Sequence, residues 1–136
     1  MSSMRAVETK MVTLYRRIAD LTLGHCKQTC RNIGSCCSPE YCYLTIEIAR
    51  DEWGTELPKT EHPTLPLLSL TGECTAPPHM RPLCSLHSCD IANLGHFRSD
   101  VALTDKYFRL RREIDRLEFV RFEEKNSDKI ADSQEA

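Results

Sequence analysis

Eight cysteines lie between residues 26 and 89 of this 136-residue chain, and the remainder of the sequence contains none. They are Cys26, Cys30, Cys36, Cys37, Cys42, Cys74, Cys84 and Cys89. Their spacing forms a near group, then a gap of 31 residues, then a far group. Two separated groups of closely spaced thiols are typical of a site that two chain segments close together. The pattern therefore predicts that folding brings residues 26–42 and 74–89 into contact.

The compartment decides whether such cysteines form disulfides or bind metal. Residues 1–10 are polar and charged with no apolar stretch after them, so we expect a cytoplasmic protein. No run approaches the roughly 20 apolar residues of a spanning helix, so we expect no membrane association. Thiols stay reduced in the cytosol, which favours metal ligation by the eight cysteines. For a structural site zinc is favoured over a 4Fe–4S cluster, and one or two centres are compatible with the count.

Individual positions leave alternatives open. Neighbouring side chains usually diverge, especially in extended backbone, so we expect Cys36 and Cys37 to serve different centres or only one of them to ligate. Cys42 lies in the apolar run 41–44 and is also explained as a small buried hydrophobic residue. His25 and His87 lie close to cysteines in the chain and are alternative ligands.

The ends of the chain carry the clearest secondary-structure signal. Residues 4–23 and 98–124 are predicted to form amphipathic helices, because apolar residues recur in steps of four and three. These positions are Val7, Met11, Leu14, Ile18 and Leu21 in the first helix and Leu103, Tyr107, Leu110, Ile114 and Leu117 in the second. Gly24 is expected to end the first helix, and Phe119 and Phe122 to extend the apolar face of the second. The two helices are expected to pack against each other or against a partner.

The middle of the chain, residues 24–97, holds all seven prolines and is predicted to form irregular loops. Within it, residues 41–48 are compatible with a short strand or with a helix that continues to Trp53, and a short helix is expected at 67–70. Residues 125–136 are predicted to be a flexible polar tail. The whole is predicted to be mainly α with irregular loops: a single metal-stabilised, cysteine-rich domain over residues 1–124, flanked by the two helices.

Part of this pattern resembles a known family. The residues that carry the resemblance are Cys30, Cys36, Cys37, Leu44, Thr45, Asp51, Glu52, Cys74, Arg81, Pro82 and Cys84. They are similar to the YkgJ-type cysteine-cluster family, which is described as zinc- or iron-chelating, and the likeness covers about residues 26–90. The resemblance implies that the first ligands are Cys26, Cys30, Cys37, Cys74 and Cys84, followed by Cys36 and Cys89 and then Cys42. It implies no catalytic activity.

Three functions remain open on the sequence. A non-enzymatic metal-binding domain that is a structural or interaction module for a macromolecular partner is favoured, because the chain has no Gly-rich phosphate loop, nucleophile elbow or H-E-x-x-H motif. The partner is expected to be a protein or a second copy, bound through the terminal helices. An iron–sulfur redox or enzyme-accessory protein is the first alternative. Nucleic-acid binding is the second, since residues 1–31 hold six basic residues against two acidic ones, although the whole chain has a net charge of −2.

Overall fold

The structure is a computed structural model that describes residues 5–29, 38–70 and 74–135. Helices make up 70% of these residues, and no strand occurs among them. The helices are α1 (Ala6–Thr29), α2 (Pro39–Trp53), α3 (Pro82–Ser85), α4 (Cys89–Leu94) and α5 (Val101–Glu135), and a 3-10 turn spans Pro78–Met80. The prediction of a mainly α fold with irregular loops is thereby confirmed.

Helices α1 and α5 pack antiparallel along their apolar stripes. Just before α1, the Arg5 side chain lies 3.4 Å from Glu124, and the Glu8 carboxylate lies 2.8 Å from the guanidinium of Arg121. The start of α1 is therefore beside the later part of α5. The buried side chains of this first core are Val7, Met11, Tyr15, Ile18, Phe97, Tyr107, Ile114 and Leu117. The expectation that the two helices pack against one another is confirmed.

A second, smaller core joins α2 to the loop that follows it. Its buried members are Cys42, Leu67 and Ala76, and the partly buried side chains of Ile46, Leu57, Leu65 and Cys74 pack around them. Leucines of the proline-containing segment 54–70, called the leucine loop below, therefore pack onto the domain. The predicted short helix at 67–70 is wrong, because Leu68 instead forms an isolated antiparallel bridge with Cys74.

Helix α1 continues past Gly24 to Thr29, so the prediction that Gly24 ends it is wrong. A glycine within a helix costs only about 1 kcal/mol relative to alanine, which tertiary contacts readily offset. Two such contacts flank Gly24. The Thr22 hydroxyl donates to the carbonyl oxygen of Ser85 (3.0 Å), and His25 bonds to Asp90 (2.9 Å).

Residues 41–48 lie within α2, which selects the helical alternative over the strand. Ser38 is the N-cap residue, and its hydroxyl accepts a hydrogen bond from the backbone N–H of Tyr41 (3.2 Å). Pro39 occupies the first helical position, where its fixed φ is favourable and its missing N–H has no helical partner to lose. The Ser-Pro pair is therefore a helix start.

Helix α5 begins later and ends later than the predicted 98–124. Ser99 has a left-handed backbone (φ 58°), and Asp100 caps the helix by accepting from the Leu103 backbone N–H at 2.9 Å. In place of the predicted flexible tail from residue 125, the helix continues to Glu135. Lys125 holds this extension by donating to the carbonyl oxygen of Glu52 (3.1 Å).

The prediction that Phe119 and Phe122 extend the apolar face of α5 is wrong. Phe119 and Phe122 are 60% and 62% exposed. They lie on the solvent-facing side of α5, because the stripe continues through Leu117 and Arg121, which are buried.

Candidate functional site

Three cysteines that are far apart in the sequence line one small pocket. Cys42 comes from α2, Cys74 from the segment that pairs with Leu68, and Cys84 from α3. The pocket has a volume of about 60 Å³ and is also lined by Arg81. One member of the near group thus meets two members of the far group. Cys42, which ranked last among the ligands predicted from the sequence, is one of the three.

The N-terminal cap of α2 positions Cys42. Ser38 takes an extended conformation and lines the pocket itself, and the backbone N–H of Cys42 donates to the Ser38 carbonyl oxygen at 3.1 Å. Cys42 is 9% exposed and packs against Leu67 and Ala76 in the second core. Both predicted interpretations of Cys42 are therefore compatible with its surroundings, since a buried thiol that packs in a core also borders the pocket.

Backbone pairing positions Cys74. Next to its bridge with Leu68, the backbone N–H of Thr75 donates to the Leu67 carbonyl oxygen at 2.8 Å, and the Thr75 hydroxyl donates to the same oxygen at 3.0 Å. These bonds hold the segment against the leucine loop. Cys74 is half-buried and forms no disulfide within the described chain.

Arg81 and Pro82 set the position of Cys84. The Nε of Arg81 donates to the carbonyl oxygen of Ala76 (2.9 Å), which ties α3 to the segment that carries Cys74. Pro82 begins α3, and the backbone N–H of Cys84 donates to the Arg81 carbonyl oxygen at 3.1 Å. The guanidinium of Arg81 thus lines a pocket that also holds three thiols, where its charge would stabilise thiolates.

Cys26 and Cys89 are not among the residues that line this pocket. Their immediate chain neighbours are bonded to each other, because the Nε2–H of His25 donates to the Asp90 carboxylate at 2.9 Å. Cys89 is exposed at the start of α4, with its Sγ 3.8 Å from the Nε2 of His87. Among the described cysteines, the pocket therefore holds one member of the predicted near group and two of the far group, and it leaves out one member of each.

His25 has a structural environment. Its ring packs edge-on against Phe97, with 4.6 Å between centroids, and its Nε2 is engaged by Asp90. The backbone N–H of Arg98 also donates to Asp90 (3.1 Å), and this bond together with the one from His25 holds the pKa of Asp90 below its usual value. The predicted alternative ligand His25 is thus engaged in the fold through its Nε2 and its ring face.

Two further histidines serve the fold. The Nδ1 of His62 accepts from the backbone N–H of Leu65 at 3.0 Å and shapes the leucine loop. His79 is buried and packs edge-on against Trp53 at 4.7 Å between centroids, and its Nδ1 has no hydrogen-bond partner among the described residues. Burial, followed by the charge of Arg121, lowers the pKa of His79.

The donor chemistry of the pocket fits a soft metal ion, but its described ligands do not complete a site. Thiolates suit zinc and iron. Within residues 5–29, 38–70 and 74–135, no three His, Cys, Asp or Glu side chains are arranged so that they could hold an ion. The predicted ligands Cys30, Cys36 and Cys37 lie outside the described residues. Cys37 directly precedes the pocket residue Ser38 in the chain.

Sequence reasoning missed a buried charge cluster next to the cores. Arg121 is 4% exposed, and its Nε donates to Glu8 at 2.8 Å. Its guanidinium lies 3.9 Å from the ring centroid of Trp53 and also contacts Glu52. The signal was present, because Arg121 follows Leu117 by four residues and so continues the apolar stripe of α5.

Comparisons with family models, with curated proteins and with solved structures gave no match for this chain. Among the described residues, each helix is too short or too polar to traverse a lipid bilayer.

Proposed function

We propose that this protein is a small non-enzymatic metal-binding domain whose ion joins α2, α3 and the leucine loop. The observation that carries the proposal is that Cys42, Cys74 and Cys84 line one pocket. Because no three described side chains are already arranged to hold an ion, the proposal requires these thiols to move closer together when the ion binds. Cys37 is the fourth ligand in this proposal, because only Ser38 separates it from α2. The proposed set takes two cysteines from each predicted group.

The architecture around the pocket supports a structural role for the ion. Residues 54–77 contain no helix among those described, and their core is limited to a few side chains around Leu67. A loop of this kind loses much conformational entropy on folding. Metal ligation compensates, because the binding free energy of the ion adds to the folding free energy.

Zinc is preferred in the proposal because a structural zinc site needs only the four thiolates of this set. A pocket of about 60 Å³ accommodates such an ion. The alternative, an iron–sulfur redox or accessory protein, predicts a brown protein with visible thiolate-to-iron absorption.

Metal analysis with an optical spectrum tests the proposal on the purified full-length chain. We expect a colourless protein with one equivalent of zinc, and we expect Cys74→Ser and Cys84→Ser to remove the metal. Cys89→Ser is the matched control and should retain one equivalent. A folded, metal-free natural protein, or a brown iron-containing one, would contradict the zinc proposal. Loss of metal in Cys89→Ser would place Cys89 in a centre and contradict the proposed ligand set.

An interaction role for the same domain, with a protein partner or a second copy, rests on the exposed apolar residues of α5. Phe119 and Phe122 are largely exposed on the helix that the sequence proposed as a partner surface. Nucleic-acid binding has less support, because Arg5 in the basic segment is already paired with Glu124 and Asp128. Metal binding by Cys37, Cys74 and Cys84 would support the resemblance to the YkgJ-type family, since that resemblance places these three among the first ligands.

A further inference from the structure

A second groove lies between α3, α4 and α5 and has a different chemical character from the cysteine pocket. It has a volume of about 230 Å³. Apolar side chains form much of its wall, including Pro82, Leu86 and Ile91. Polar groups come from Ser88 and Arg111. A concave, mostly apolar surface with a few polar groups is the usual form of a small-molecule site.

The Arg111 guanidinium is held in place but has no anionic partner in the part of the chain that the structure describes. One of its terminal nitrogens donates to the Tyr107 hydroxyl at 2.9 Å, and that hydroxyl donates to the carbonyl oxygen of Leu86 at 2.6 Å. Arg111 is half-buried and forms no ion pair with any described residue. A guanidinium has five N–H donors, so most of them remain for a ligand.

Ser88 supplies a second, independent observation. It is 1% exposed, and its hydroxyl makes no hydrogen bond to any described residue. It occupies the N-cap position of α4, yet its side chain does not cap the helix. A buried polar group without a partner is uncommon in folded proteins. Because Ser88 lines the groove, a ligand there would supply the missing hydrogen-bond partner.

We propose that this groove binds a small organic carboxylate, with the carboxylate on Arg111 and Ser88 and the hydrocarbon part on Leu86 and Ile91. One fixed cation with one hydroxyl matches a single negative charge, and a guanidinium pairs well with the planar carboxylate. The limited volume restricts the ligand to a short chain or one ring. Because the hydrogen bond to Tyr107 already holds Arg111, less side-chain entropy is lost when a ligand binds.

Hexanoate is a suitable probe, and the full-length isotope-labelled protein reports binding by NMR. We expect saturable shifts at the Ser88 amide, the Ile91 methyls and the Arg111 Nε–H. Hexanol, which keeps the chain but lacks the charge, and acetate, which keeps the charge but lacks the chain, should each bind at least tenfold more weakly. This comparison uses the natural chain and needs no variant to fold.

Two arginine variants separate a specific site from general charge attraction. Arg111→Gln should weaken hexanoate binding by about tenfold or more. The matched control Arg112→Gln removes the same charge from the next, exposed position of α5 and should leave binding unchanged. Ser88→Ala should weaken binding severalfold. Equal effects of Arg111→Gln and Arg112→Gln, equal binding of hexanol and hexanoate, or the absence of saturable shifts would overturn the proposal.

Discussion

Arg121 carries a permanent positive charge into the seam between α1, α2 and α5. The charge is compensated by Glu8, which lies 2.8 Å away, and by Glu52, and the guanidinium stacks over Trp53 at 3.9 Å. Removing one partner of a buried ion pair is costly because the other charge is left without compensation. Arg121 therefore links α5 to both α1 and α2.

Substitution of Arg121 by alanine should lower the free energy of unfolding by about 3 kcal/mol. Arg116 on the same helix is a matched control, because it forms an exposed pair with Glu113. Arg116→Ala should cost less than about 1 kcal/mol. Urea unfolding followed by circular dichroism measures both values, and similar small losses for the two variants would contradict the role assigned to Arg121.

His79 should make stability depend on pH. Its pKa in the folded protein lies below the ordinary 6.5, because burial and then the charge of Arg121 disfavour the protonated ring. The unfolded chain therefore takes up the proton first, and stability that is fully present above about pH 7 is lost as the pH falls through 6.5 and below. The free energy of unfolding of His79→Gln should fall less over this range, whereas exposed His87→Gln should follow the natural protein. Parallel curves for all three would refute the assignment.

At the scale of single elements, the end of α2 depends on a left-handed residue. Gly54 has φ 61°, its backbone N–H donates to Arg50 at 3.1 Å, and the next N–H donates to Ala49 at 2.9 Å. L-residues with a Cβ are disfavoured in this conformation. Gly24, in contrast, lies within α1, and an added Cβ at either glycine would meet no other atom within 4 Å.

The two glycines are expected to respond to alanine in opposite directions. Gly54→Ala should lower the free energy of unfolding by about 1 kcal/mol, because only the backbone conformation is penalised. Gly24→Ala should raise it by about 0.5–1 kcal/mol, because alanine loses less entropy in a helix. Thermal or urea unfolding distinguishes the two signs. A stabilising Gly54→Ala would contradict the left-handed cap.

Sequence periodicity predicted α1 and α5 because each has a long apolar stripe. It predicted the ends of these helices less well, since tertiary bonds of Thr22, His25 and Lys125 extend them beyond the stripes. Residues 41–48 were ambiguous because a short apolar run fits either period. The N-cap bond of Ser38, a local feature, resolves that ambiguity.

At the scale of the whole molecule, the sequence predicted that the two cysteine groups have members that meet, but not which ones. Cys42 lines the same pocket as Cys74 and Cys84 because α2 and the leucine loop share a core. Chain spacing holds no information on this packing. The groove lined by Ser88 and Arg111 could not be predicted from the sequence either. These two residues are far apart in the chain, and only tertiary packing brings them to one groove.

The two cores share no buried residue. We therefore expect the small core to open locally without unfolding of the large one. Ile114 is fully buried in the large core between α1 and α5, and Leu67, which is 1% exposed, is buried in the small core. Trp53, at the end of α2, packs onto the first core. The small core therefore depends on the large one, while the large one contains most of its contacts within α1 and α5.

Native-state hydrogen exchange on two core variants tests this hierarchy. Each truncation, Leu67→Ala and Ile114→Ala, removes a buried aliphatic side chain and should cost about 2–5 kcal/mol where the side chain packs. Leu67→Ala should speed exchange in α2 and leave the protection of α1 and α5 intact, because local openings need not involve the whole fold. Ile114→Ala should speed exchange in all three helices, and Leu70→Ala, at a position 71% exposed, in none. Loss of protection in α1 and α5 on Leu67→Ala would show instead that the cores unfold as one unit.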